Sequence, residues 1–356
     1  MPVGCQQCLL PCSMRTADCA SNLGSRFPTR ASRVLSYADT SLLPITNKGR
    51  CGSNVGMPDT TLNLVTPAAP TALFTHLDID CTLAYQVDGA SEFIFLVHAA
   101  NQNGQTVLDE QLVLEPPTPF HAYVDPHSGN RFLRLEAQSG PFTVHYRALI
   151  ERVAKTPDPA APEVPVRQIP DDVLRFLMPT RYCESDHLGQ DAQQMFGTLP
   201  GGHARVMAIC DWVRSNIDYR IGSSNATTTA RDVYQQRAGV CRDFAHLAVT
   251  FCRALNIPAR LVSGYAIFPD PPPDFHAVFE AYLGGSWVLF DPTGMSPVEH
   301  LVRLASGRDA KDVAFATIFG PARMLSMRPD IRLVDPPVAP AEGVPHANTQ
   351  QTGIAA

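Results

Sequence analysis

Three residues have types and spacings suited to nucleophilic attack on a carbonyl group: Cys241, His276 and Asp291. Cys241 lies near the start of GVCRDFAHLAVTFCRALNIPAR, residues 239–260. If it occupies the first turn of a helix, one apolar face follows, formed by Phe244, Leu247, Ala248, Phe251, Cys252 and Leu255. Asn256 and Pro258 then predict the end of that helix. Unpaired amides and the macrodipole at a helix start favour a thiolate, and the same amides can donate to an oxyanion.

Two other residues of the same helix are poor candidates for catalysis. Cys252 falls on the apolar face in the middle of the helix, so we interpret it as an inert core thiol. His246 is five residues beyond Cys241, which rotates it by about 140° from the direction of the cysteine. We therefore expect His246 to be a packing or capping residue, and the base must come from elsewhere in the fold.

A hairpin downstream supplies that base. In DFHAVFEAYLGGSWVLFDPTG, Gly284-Gly285 between two alternating strands predicts a two-residue turn that pairs Leu283 with Ser286. The same register places His276 and Asp291 as diagonal neighbours on one sheet face, with their Cβ atoms roughly 7 Å apart. A loop one residue longer or shorter would place the two residues on opposite faces.

Each of these residues, taken singly, has an ordinary structural interpretation. His276 could be a plain strand residue, and Asp291 could merely begin the DPTG turn. A zinc site built from the same three residues would be an uncommon ligand set. Together they supply a nucleophile, a base and an orienting carboxylate, so the sequence predicts a Cys-His-Asp triad that needs no cofactor and no metal.

The rest of the chain divides into segments of different character. Residues 58–153 alternate with a period of two between turn signals, which predicts an antiparallel β-sandwich or small barrel. Residues 154–170 are Pro-rich and predict an extended linker. Helical and strand patterns then alternate over 171–330, and residues 331–356 have the composition of a disordered tail.

Residues 1–56 differ from the remainder of the chain. They contain the cysteine pattern C-x2-C-x3-C-x6-C but no second pair at a familiar metal-site spacing, so we predict a disordered leader rather than a metal site. Met57, directly before the first periodic pattern, is an alternative start of the protein.

Bulk properties exclude several classes of protein. The formal net charge is −6, which argues against a nucleic-acid binder. No apolar run reaches the length of a membrane-spanning helix, and the first residues lack the apolar segment of a signal peptide. The sequence therefore predicts a cytoplasmic protein without a membrane or nucleic-acid partner; it leaves the oligomeric state open.

The residues just described carry a family resemblance. The segments GVCRDFAHLAVTFCRALNIPARLVSGYA and DFHAVFEAYLGGSWVLFDPT resemble the transglutaminase-like superfamily, and specifically its bacterial group with an N-terminal β domain. The resemblance implies an α+β fold, a papain-like catalytic core after an antiparallel β domain, with Cys241 as nucleophile, His276 as base and Asp291 as orienting acid. It also implies a side-chain oxyanion donor upstream of the cysteine, for which Trp212 and Tyr219 are candidates and Tyr219 is preferred.

This chain departs from the family pattern at two places. Many relatives carry Trp where this chain has Val278, and the acidic calcium cluster of the animal enzymes is not evident.

Thiol-dependent acyl chemistry on amide bonds follows as the predicted function. We favour hydrolysis of a peptide or protein, as in a cysteine protease, because no dedicated amine site can be identified. One alternative is a protein-glutamine amine acyltransferase, a transglutaminase. Another is a non-catalytic binding module with a vestigial triad, in which the β domain performs the recognition.

Overall fold

The structure, a computed structural model, describes residues 5–8, 74–153, 156–268 and 274–335. The predicted leader, apart from residues 5–8, lies outside the described residues, as do Met57, the tail from residue 336 and residues 269–273 before His276.

The described residues form fifteen strands. In chain order they are β1 (Cys5–Cys8), β2 (Phe74–Val87), β3 (Ser91–Phe95), β4 (Gln105–Glu115), β5 (Phe120–Val124), β6 (Arg131–Ala137), β7 (Gly140–Val153), β8 (Asp218–Tyr219), β9 (Ala238–Gly239), β10 (Ala259–Ala266), β11 (Asp274–Leu283), β12 (Ser286–Phe290), β13 (Val302–Gly307), β14 (Ala316–Phe319) and β15 (Ala322–Val334).

Six α-helices accompany them in the part of the chain that the structure describes. They are α1 (Asp171–Leu174), α2 (Gly189–Phe196), α3 (His203–Asn216), α4 (Ala230–Gln236), α5 (Cys241–Ala254) and α6 (Ala310–Val313). Short 3-10 helices span Val166–Gln168, Arg175–Leu177 and Val298–His300. No described helix has the length and apolar character needed to cross a membrane.

Two antiparallel sheets precede the helices, as the alternating pattern of residues 58–153 predicts. One sheet has the order β15-β2-β7-β4, and the other β1-β14-β3-β6-β5. Alternate residues of β2 and β7 are buried because one side of each strand faces the core. The α+β fold, with antiparallel sheets ahead of a helical and strand core, is confirmed.

The last two strands return to these sheets, which the sequence did not predict. β14 pairs with β3, and β15 pairs with β2 along its whole length. β15 extends to Val334, past the predicted boundary at residue 330. Long-range pairing of this kind has no local signal, because the partner strand lies more than 200 residues away in the sequence.

The Pro-rich segment packs on the core where the structure describes it. Ala161 and Ile169 are buried, and the backbone amide of Gly284 donates to the carbonyl of Pro162 at 2.8 Å. This segment therefore supports the turn between β11 and β12 as well as connecting the parts of the chain.

A third sheet, of order β12-β11-β10-β13, carries α5 on one face. Every residue of β11 is buried, so both faces of this strand are covered. α5 begins at Cys241 as predicted, and Asn256 takes the predicted left-handed conformation after its end, with φ 63°. The β10–β11 pairing aligns Gly264 with His276.

Gly264 offers a stability test of this sheet. A Cβ atom at Gly264 would lie 2.5 Å from the carbonyl oxygen of Val302 and 2.9 Å from Leu301 Cγ. We expect Gly264→Ala to lower the free energy of unfolding by about 1–3 kcal/mol, because the neighbouring backbone must move. Urea denaturation monitored by circular dichroism measures this change.

Gly189 provides the matched control. A Cβ atom there, at the first residue of α2, meets nothing within 4 Å. Gly189→Ala should raise the free energy of unfolding by about 0.4–1 kcal/mol. Equal effects of the two substitutions would contradict the packing described here.

Candidate active site

The hairpin brings His276 and Asp291 together. Leu283 pairs with Ser286 as predicted, and Gly284 and Gly285 both have positive φ, 56° and 83°, as a type I′ turn requires. His276 Nε2 lies 3.1 Å from Asp291 Oδ2. The predicted register, and the contact that it implies, are confirmed.

His276 is held as a cation in a buried position. Its side chain has no exposed surface. Burial disfavours the imidazolium, but hydrogen bonding and electrostatic interaction with Asp291 and Cys241 outweigh it and raise the pKa of His276 to about 10. Since Nε2 faces Asp291, and Nδ1 has no nitrogen or oxygen partner among the described residues, Nδ1 is the ring nitrogen available to the thiol.

Asp291 is fixed by the turn that follows it. Its Oδ1 accepts from the Thr293 amide at 2.9 Å and from the Thr293 hydroxyl at 2.7 Å, and its Oδ2 accepts from the Ser296 amide at 3.2 Å. Burial alone would raise the pKa of Asp291, but His276 and Thr293 hold it below its usual range. Sequence analysis missed Thr293 and Ser296, although Asp followed two residues later by Thr is a signal for such a side-chain turn.

The first turn of α5 contains a second buried carboxylate, Asp243. It accepts from the Val240 amide and the Ser224 hydroxyl, and it forms an ion pair with Arg242 at 2.6 Å. Arg242 also donates to the carbonyl oxygen of Asn225. These contacts compensate the negative charge of Asp243 beside Cys241 and fix the preceding loop against the start of the helix.

The two residues of α5 that we excluded lie in structural positions. His246 is fully buried, stacks on Tyr182 and accepts a hydrogen bond from the Ala310 amide at the start of α6. Burial and two nearby arginines lower its pKa well below the usual value, so it is neutral. Burial likewise raises the pKa of the Cys252 thiol far above its usual value. The predicted capping and core roles are confirmed.

The two oxyanion candidates differ in position. Trp212 packs on Phe196 and Phe251, and Phe251 is ten residues along α5 from Cys241, or roughly 15 Å. This packing separates the partly buried Trp212 ring from the start of α5. Tyr219 pairs through its backbone with Gly239, two residues before Cys241, and its ring packs on Phe244.

Apolar residues cover the histidine. The ring of Phe268 contacts the His276 ring edge-on, with centroids 5.1 Å apart. Val278 joins Phe268 in an apolar cluster with Val262, Ala266 and Leu301. Among the described residues, no group of three or more His, Cys, Asp or Glu is arranged to hold a metal ion.

Two family models match this chain. Residues 190–292, which include Cys241, His276 and Asp291, match the transglutaminase-like superfamily core. Residues 76–172 match the N-terminal domain of bacterial transglutaminase.

Individual relatives extend the comparison. One relative is a protein of Cytophaga hutchinsonii whose crystal structure is described as that of a putative cysteine protease. Its sequence is 41% identical to this chain, and the two structures superpose with a TM-score of 0.72. The match covers 76% of this chain and 94% of the other. An uncharacterised protein of Mycobacterium leprae is 28% identical over 226 residues, covering 59% of this chain and 79% of the relative. One from Mycobacterium tuberculosis is 33% identical over 116 residues, covering 28% of this chain and 37% of the relative.

The two buried histidines should titrate in opposite ways. With ¹³C-labelled histidine, NMR should show the His276 imidazolium persisting from pH 6.5 upward and losing its proton near pH 10. The His246 signal should remain that of a neutral ring over the same range, as an internal control. Asp291→Asn should lower the His276 midpoint, because the burial penalty remains while the carboxylate is lost. A wild-type midpoint at or below 6.5 would contradict this electrostatic description.

Proposed function

Because the chain belongs to the transglutaminase-like superfamily, we propose that it hydrolyses amide bonds in a peptide or protein through a thioester on Cys241. The observation that carries this proposal is the hydrogen bond between His276 and Asp291, with the Cys241 thiol as a second neighbour that raises the pKa of His276. A thiolate next to an imidazolium is the reactive pair of a thiol hydrolase.

The proposed reaction has two stages. The Cys241 thiolate attacks the substrate carbonyl carbon, and the backbone amide of Cys241, at the first position of α5, donates to the oxyanion. The C–N bond breaks as His276 gives its proton to the departing amine. A water molecule then gives a proton to His276 and attacks the thioester. The C–S bond breaks, which releases the acid and restores the thiolate and imidazolium.

Asp291 acts as a positioning residue in this scheme. Its carboxylate holds Nε2, which leaves Nδ1 facing the thiol, and it stabilises the charged ring. The contacts of Thr293 and Ser296 fix the carboxylate in turn, so the ring has one orientation.

Tyr219 is the proposed side-chain donor to the oxyanion. Support comes from its strand, which pairs beside Gly239, and from its ring, which packs on Phe244 in the first turn of α5. Both contacts hold Tyr219 next to the residues that carry the nucleophile.

The cytoplasm is the proposed location of this reaction. The cysteines described from residue 74 onward, Cys81, Cys183, Cys210, Cys241 and Cys252, are free thiols. A reducing compartment keeps thiols in this state.

Replacement of Cys241 tests the proposed function. On casein as a broad protein substrate, we expect Cys241→Ala and His276→Ala to reduce turnover by on the order of 10³-fold or more. Cys252→Ala is the matched control, because it removes a buried thiol from the same helix and should leave turnover within a few-fold of wild type.

Three readouts on the same samples separate the possible activities. New amino termini indicate peptide cleavage, ammonia release indicates side-chain amide hydrolysis, and incorporation of a fluorescent primary amine indicates acyl transfer. Amine incorporation that suppresses hydrolysis would favour the transglutaminase alternative. Unchanged turnover in Cys241→Ala would contradict the proposal. It would also be contradicted by a wild-type protein that shows no turnover and whose Cys241 is no more reactive towards iodoacetamide than a free thiol.

Tyr219→Phe tests the oxyanion assignment. Loss of one oxyanion donor should reduce kcat by about 10²–10³-fold, with KM changed only a few-fold, because the interaction forms in the transition state. Tyr182→Phe removes a hydroxyl that donates to the Ala226 carbonyl, so it should affect stability rather than kcat. Equal kcat values for Tyr219→Phe and the wild type would exclude Tyr219 as a donor.

A further inference from the structure

Asp243 holds the residue that precedes the proposed nucleophile by two contacts. Its carboxylate Oδ2 accepts from the Val240 amide at 2.9 Å, and its own amide donates to the Val240 carbonyl at 2.8 Å. The third residue of α5 thus reaches back to the residue before the helix, as the acid of a capping box does. Both residues are buried, so water does not compete for these contacts.

These contacts fix two successive peptide groups. The peptide between Gly239 and Val240 donates its N–H to Asp243, and its carbonyl oxygen accepts from the Arg220 amide at 2.9 Å. The next peptide, between Val240 and Cys241, has its carbonyl on the Asp243 amide. Because a trans peptide directs its C=O and N–H to opposite sides, the Cys241 N–H points out from the start of α5.

The two proposed oxyanion donors lie at the two ends of this arrangement. Tyr219 is on β8, which pairs with β9 by aligning Tyr219 with Gly239. The Cys241 amide is at the other end, two residues beyond Gly239. The contacts of Asp243 lie between them, so they set the position of the Cys241 amide relative to the strand that carries Tyr219.

The Asp243 carboxylate has one orientation. Its Oδ1 accepts from Nε and Nη2 of Arg242, at 2.9 and 2.6 Å, and its Oδ2 also accepts from the Ser224 hydroxyl. A Cβ atom at Gly239 would lie 2.7 Å from the Asp243 Cβ atom, so the glycine leaves the space that this side chain occupies. Arg242 balances the charge of the carboxylate, which would otherwise oppose the thiolate of Cys241.

We propose that Asp243 is a positioning residue of the oxyanion hole, which fixes the Cys241 amide without touching the substrate. This inference rests on the proposed function, because an oxyanion forms only if Cys241 attacks a carbonyl group. Displacement of a catalytic group by about 1 Å can reduce turnover by on the order of 10²-fold. An ordinary helix cap would contribute to stability alone.

Asp243→Asn tests the positioning role with two reactions of the same thiol. Hydrolysis of casein passes through an oxyanion, whereas alkylation by iodoacetamide displaces iodide and forms no oxyanion. Asn has one oxygen acceptor where Asp has two, so it cannot hold both the Val240 amide and Arg242. We expect kcat on casein to fall by on the order of 10²-fold, with KM changed only a few-fold.

The rate of Cys241 alkylation, followed by mass spectrometry, should not fall in the same variant. Arg242 loses its counter-ion in Asp243→Asn, and an unpaired guanidinium near the thiol favours the thiolate. A loss of kcat without a loss of alkylation therefore distinguishes the oxyanion hole from the nucleophile and from the stability of the fold.

Asp232→Asn is the matched control. Asp232 makes the same contact at the start of α4, where it accepts from the Thr229 amide at 2.9 Å, but α4 carries none of the proposed catalytic groups. This variant should lower thermal stability and leave kcat within a few-fold of wild type. If Asp243→Asn fails to fold, Ser224→Ala carries the test, because it removes only the hydroxyl donor to Oδ2 and should cause a several-fold loss of kcat with alkylation retained.

The outcomes separate this inference from the proposed function. A wild-type protein without turnover overturns both. Turnover in the wild type, with equal kcat values for Asp243→Asn and Asp232→Asn, overturns only the positioning role. Equal losses of kcat and alkylation in Asp243→Asn also overturn it, because the thiolate rather than the oxyanion hole would then be affected.

Discussion

The buried ion pair between His276 and Asp291 constrains the structure around it. An imidazolium without exposed surface is stable only if an anion faces it at hydrogen-bonding distance, and Asp291 provides this at 3.1 Å. The β11–β12 hairpin must therefore hold one register, which the two positive-φ glycines of its turn allow. Both faces of β11 must also be covered, by α5 on one side and by the Phe268 cluster on the other.

The neighbouring charges and hydrogen-bonding groups, rather than the residue type, determine the role of each buried histidine and cysteine. His246 and His276 are both fully buried, yet one is a neutral cap for α6 and the other is a cation beside a carboxylate. Cys241 and Cys252 share one helix, but only Cys241 interacts electrostatically with His276. Desolvation acts on both histidines in the same direction, so the nearby charges determine the difference.

The β sheets are structurally continuous with the catalytic part of the chain. β14 and β15 follow the catalytic segment and complete the two sheets formed by residues 74–153. One hydrophobic cluster includes residues from Leu77 to Ile331. Arg152 of β7 binds the carbonyls of residues 298, 299 and 301, which follow the turn that fixes Asp291. The β sheets thus support the loop that follows Asp291.

The sequence by itself determined the local elements that carry the candidate triad. The apolar face of α5, the stop at Asn256 and the Gly-Gly register are properties of short segments, in which periodicity and turn chemistry suffice. The contacts of Thr293 with Asp291 also have a local signal, the spacing of two residues between Asp and Thr. Only the tertiary structure packed Trp212 on Phe251, returned β15 to β2 and grouped Arg260 and Arg303 around Glu280. These contacts join residues far apart in the chain, and their partners are selected by packing and charge compensation across the whole fold, which leaves no pattern in any one segment.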